Sequence, residues 1–68
     1  MKAFDLKTKL KRQHWERIRT RGSHHRFRNT ITGEEQTISY HSETEEIDPV
    51  TLRKIEKELN VTLLGRNH

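Results

Sequence analysis

The chain has 68 residues, 28% of them apolar and none cysteine, so one small domain spanning residues 1–68 is expected, with a small core and neither disulfides nor a thiolate metal site. No apolar run exceeds two residues, and Met1 to Asp5 holds no apolar leader segment, so a soluble, cytoplasmic protein without a membrane span is expected. Residues 1–28 hold ten basic and two acidic side chains, net +8, whereas residues 29–68 hold four and eight, net −4; this asymmetry favours a polyanionic partner such as nucleic acid over a merely solvated surface.

Residues 3–13 read as a short amphipathic helix, with Ala3, Leu6 and Leu10 at i, i+3, i+7 and lysines around the other sides. His14 ends it, because His tolerates the left-handed backbone better than most side chains. From Trp15 the period becomes two: Glu16, Ile18 and Thr20 alternate with Arg17, Arg19 and Arg21, and Gly22-Ser23 signals a turn. A second strand follows, with His25 and Phe27 on one face and His24, Arg26 and Arg28 on the other. Thr30 to Gly33 form the next turn, and residues 36–40 a third strand with Ile38 and Tyr40 on one face. After an acidic loop, Asp48 caps a helix that opens on Pro49, buries Leu52, Ile55 and Leu59, and closes at Asn60. The tail from Val61 to Leu64 is left either to finish the core or to make a subunit contact.

Three strands and two helices fit an α+β fold of order α-β-β-β-α, an antiparallel meander with both helices on one face. Ile18, Phe27, Ile38 and Tyr40 are expected on the covered side, in one core with Leu52 and Ile55. The open side then carries Arg17, Arg19, Arg21, His24, Arg26, Arg28, Thr37, Ser39 and His41. Of the five histidines, His14 and His68 read as a helix end and a chain end, and His25, beside Phe27, as a partly covered structural residue. Metal binding is disfavoured, since no cysteine, no helical His pair and no open-face carboxylate is expected nearby. His24 is the candidate chemical group, because imidazole among phosphate-binding arginines suits proton transfer near neutral pH. If the second hairpin closes symmetrically around Thr32-Gly33, His24 faces His41 across the ladder and His41 becomes a candidate helper.

The run Trp15-Glu16-Arg17-Ile18-Arg19-Thr20-Arg21-Gly22-Ser23-His24-His25-Arg26-Phe27-Arg28 resembles the HicA toxins of bacterial toxin–antitoxin pairs, in which a Trp-led strand precedes Gly-Ser-His and an aromatic-containing strand. Gln36-Thr37-Ile38 and Asp48-Pro49-Val50-Thr51-Leu52-Arg53-Lys54-Ile55 look like that family's third strand and final helix, so the similarity spans roughly residues 3–61. His14 and Asn60 stand where the family usually has glycine, Arg26 where it often has a third histidine, and Ser39-Tyr40 replace a Pro-containing strand end. The resemblance implies a double-stranded-RNA-binding-domain-like fold, ribonuclease activity on messenger RNA, a HicB-type antitoxin as partner, and His24 as the catalytic residue. With the charge pattern it leads to a metal-independent endoribonuclease without cofactor, in which Arg17, Arg19, Arg21, Ser23, Arg26 and Arg28 hold RNA and His24 activates the ribose 2′-OH. The alternatives are a non-catalytic double-stranded-RNA binder of the same topology and a domain that binds DNA or an acidic protein. The absence of lysines from Asp48-Pro49-Val50-Thr51 speaks against the first of these.

Overall fold

A computed structural model of the chain describes residues 1–64 and shows the expected order: α1 (Ala3–Arg12), β1 (Trp15–Arg21), β2 (His24–Asn29), β3 (Glu35–Ser39) and α2 (Pro49–Leu59). His68 lies outside the described residues. The three strands form one antiparallel sheet in the order β1-β2-β3. Ala3, Leu6 and Leu10 of α1 and Leu52, Ile55 and Leu59 of α2 join Trp15, Phe27, Ile38 and Tyr40 in a single buried cluster. Both helices therefore cover the same sheet face, where each amphipathic stripe finds an apolar surface.

The element ends follow from local chemistry. His14 takes φ +73° after α1 and Asn60 takes φ +57° after α2, the left-handed residues that the sequence places there. Asp48 occupies the cap position before Pro49, but its side chain makes no capping bond. Gly22 at φ +61° lets β1 turn into β2 over two residues. In the second hairpin the Asn29 Oδ1 accepts the backbone N–H groups of Ile31 and Thr32, at 2.8 and 2.9 Å, and Gly33 sits at φ +81°. That Asn-capped loop pairs Asn29 with Glu34, so the ladder sets His24 opposite Ser39 and Arg28 opposite Glu35.

Two expectations about β1 are corrected. Its register slips between Arg17 and Arg19, so that Arg17 faces Phe27, Arg19 faces Arg26, and Ile18 is the extra residue of a β-bulge. Ile18 is thus 47% exposed and no core member, while Arg17 turns to the helix-covered side. The C-terminal tail finishes the core: Leu63 is buried, and its N–H and that of Leu64 both donate to Glu56 Oε2. Gln13 fastens the same tail to the end of α1 through both the N–H and the carbonyl of Thr62. Among the described residues no helix is long and apolar enough to cross a membrane.

Candidate active site

The open sheet face is a grid of three rows, because directly paired residues in an antiparallel ladder share a face. One row is Arg21, His24 and Ser39; the next is Arg19, Arg26 and Thr37; the third is Glu16, Arg28 and Glu35. Rows two residues apart are separated by about 6.6–6.8 Å along the strands. The third row places carboxylates on both sides of Arg28, against the expectation of an open face free of acids. Arg26 Nε donates to Glu35 Oε1 at 2.7 Å and its Nη1 to Thr37 Oγ1 at 3.4 Å. The Arg26 hydrogen bond, with the fields of Arg28 and Arg19, holds the Glu35 carboxyl below its ordinary range. Cationic character is therefore concentrated at the end of the sheet that carries His24.

His24, the first residue of β2, is exposed beside a recess of about 460 Å³ lined by Arg19, Thr20, Arg21, Arg26 and Thr37. Its Nδ1 lies 3.3 Å from Ser39 Oγ. Ser39 holds the cross-strand position that a loop centred on Thr32-Gly33 would give to His41. The loop is centred one residue earlier, and pairing residues that sum to 63 rather than 65 move His41 beyond the strand end. There it is exposed, with its N–H donating to Glu45 Oε1. The pairing of His24 with His41 is thus corrected, and Ser39 is the neighbour that sequence reasoning missed. Only the asparagine before the turn signalled it. Ser23 sits in the Gly22–Ser23 turn, half-buried, and its carbonyl accepts the Tyr40 N–H at 3.0 Å.

Beneath this face lies a polar cluster in the core. His25 is buried, and its ring stacks on Tyr40 at 3.6 Å with the planes 5° apart. Its Nε2 lies 2.9 Å from the Tyr40 carbonyl, which can only accept, so Nε2 carries the proton and Nδ1 is the acceptor. Arg17 Nη1 and Thr20 Oγ1 approach that Nδ1 at 3.4 and 3.3 Å. Arg17 also donates to the Tyr40 hydroxyl and to Glu43 Oε2, each at 3.0 Å. Lys7 of α1 meets the other Glu43 oxygen at 3.1 Å. Burial pushes the Tyr40 phenol above its ordinary value against the pull of Arg17. For Glu43 burial acts upward too, but the hydrogen bonds from Arg17 and Lys7 prevail and hold the carboxyl low. Arg17 is accordingly a strut between sheet, loop and helix, and leaves the open-face set. Among the described residues no group of three or more His, Asp or Glu is placed to hold a metal ion.

The family model described as the HicA toxin of bacterial toxin–antitoxin systems matches residues 4–61. The chain belongs to the HicA toxin family. No curated protein and no solved structure matched it. HicA membership makes the chain a toxin of a toxin–antitoxin system and implies an antitoxin as its partner. The Gly-Ser-His motif of the HicA resemblance occupies the first hairpin loop and the first residue of β2, at the rim of the cationic recess.

Proposed function

We propose that this toxin is an endoribonuclease that cleaves messenger RNA without a metal ion, and that a HicB-type antitoxin silences it by covering the arginine face. The observation that carries the reading is His24, exposed beside a recess bordered by Arg19, Arg21 and Arg26. A phosphodiester seated against those guanidiniums brings the 2′-OH of the ribose on its 3′-oxygen side to the imidazole. His24 takes the hydroxyl proton, the 2′-oxygen bonds to phosphorus, and the bond from phosphorus to the 5′-oxygen breaks. A 2′,3′-cyclic phosphate and a 5′-hydroxyl result, the leaving oxygen taking its proton from solvent. Arg19, Arg21 and Arg26 stabilise the charge that develops on the phosphoryl oxygens. Arg28, between Glu16 and Glu35, and Ser23, in the turn, flank that centre and extend the RNA contact.

The test is cleavage of labelled RNA and DNA of one sequence, with and without EDTA. RNA should be cut in both conditions to a cyclic phosphate, and DNA should survive because it lacks the 2′-OH. His24→Ala should lower cleavage at least ~10²-fold, the usual contribution of a positioned proton-transfer group, while leaving RNA affinity nearly unchanged. A His24→Ala protein as toxic as the parent would remove the assignment and leave a non-catalytic RNA-binding module.

A further inference from the structure

We infer that Ser39 is the positioning residue of His24, and that the stacked pair His25–Tyr40 holds Ser39 in place from inside the core. The inference rests on the ribonuclease reading for its catalytic consequence and on side-chain geometry for its structural part. His24 has Ser39 Oγ at 3.3 Å from Nδ1, and the free Nε2 is the nitrogen left to meet a substrate. When Nδ1–H donates to Oγ, Nε2 holds its lone pair outward, the form a general base needs. The imidazolium formed after proton uptake keeps the same hydrogen bond.

Ser39 is the last residue of β3, where a strand end would ordinarily fray. The next residue prevents this, because Tyr40 is gripped at four points. Its N–H donates to the Ser23 carbonyl, its carbonyl accepts from His25 Nε2, its ring lies on the His25 imidazole, and its hydroxyl accepts from Arg17. The two adjacent histidines thus have complementary roles. His24 points outward to the substrate, and His25 points inward to fix the segment that orients it.

Single-turnover cleavage paired with ¹⁵N NMR of the His24 ring in the RNA-free protein tests this. In the parent, His24 should show the Nδ1–H tautomer, the one a free imidazole disfavours. Ser39→Ala should lower the cleavage rate about tenfold at unchanged RNA affinity, the scale on which orienting partners act, and return His24 to mixed tautomers. His25→Leu should do the same, whereas His25→Gln, which keeps a donor for the Tyr40 carbonyl, should recover most of the rate. Thermal melts identify any variant lost to unfolding, and Tyr40→Phe, which keeps the stack and loses the hydroxyl's interactions with Arg17 and Glu43, is the mildest probe of the grip. A Ser39→Ala protein with parental rate, or one whose His24 tautomer is that of the parent, overturns the inference. If the parent cleaves no RNA the ribonuclease reading fails, and the nitrogen shifts alone still decide whether Ser39 orients His24.

Discussion

Glu43 has no place in the chemistry of the open face, yet it joins three elements through Lys7, Arg17 and, by way of Arg17, Tyr40. Its carboxyl titrates below the ordinary value in the folded protein, so its ion pairs contribute fully above the unfolded carboxylate range near ~4.3. That contribution is lost as pH falls through the lower folded value. Its side chain is 41% exposed, which keeps the effect modest. Glu43→Gln should therefore lower the melting temperature by about 2–5 °C at pH 7, with the gap narrowing as pH falls from ~4.3 towards ~3. Melts of both proteins across that range decide the matter; an equal gap at both ends would mean that Glu43 acts by shape. Little of this is legible in the sequence, since Arg17 looks like its neighbours and nothing local links it to a glutamate 26 residues on.

At the scale of elements, periodicity locates both helices and all three strands, because each has one face buried and one wet. His14 and Asn60 are legible for a second reason, namely that few residues accept a positive φ. Strand phase is legible in β2 and β3 and fails in β1, where alternation assumes a regular ladder and cannot see an extra residue. Phe27 and Ile18 measure that failure. Phe27 is fully buried, and Phe27→Ala should cost ~3–5 kcal/mol, a large part of a small domain's stability. Ile18→Ala should stay within about 0.5 kcal/mol, as for other exposed positions. Denaturant titrations of the two variants should therefore differ severalfold in midpoint shift, and a destabilised Ile18→Ala would return that residue to the core.

For the whole molecule, the composition already holds the excess of cations in the first part of the chain, and folding gathers Arg19, Arg21 and Arg26 at one sheet end, beside a mixed row of Glu16, Arg28 and Glu35. Candidate His24 is legible because a motif and a charge pattern meet on it; Ser39 is not, because a cross-strand neighbour depends on a turn whose centre Asn29 decides. RNA and the antitoxin are expected to compete for the cationic end, since covering it both blocks substrate and offsets charge. Replacing Arg19 and Arg26 together by Glu should weaken both partners and flatten the log–log salt dependence of RNA affinity by about two. Titrations over a range of salt read this directly. Antitoxin binding unaffected by the pair would move its interface to another surface.

The bulge at Ile18 gives β1 a spare residue, and with it an unequal tolerance to changes of length. Removing Ile18 leaves a regular ladder in which Arg17 still opposes Phe27 and Arg19 still opposes Arg26, so every side chain keeps its face. Removing Thr20 instead shifts Arg21 by one place and sends a cation under the sheet. A chain lacking Ile18 should fold and keep parental RNA affinity, while one lacking Thr20 should melt earlier and bind RNA more weakly. One strand thus contains both a position where the chain can shorten harmlessly and, two residues later, one where it cannot.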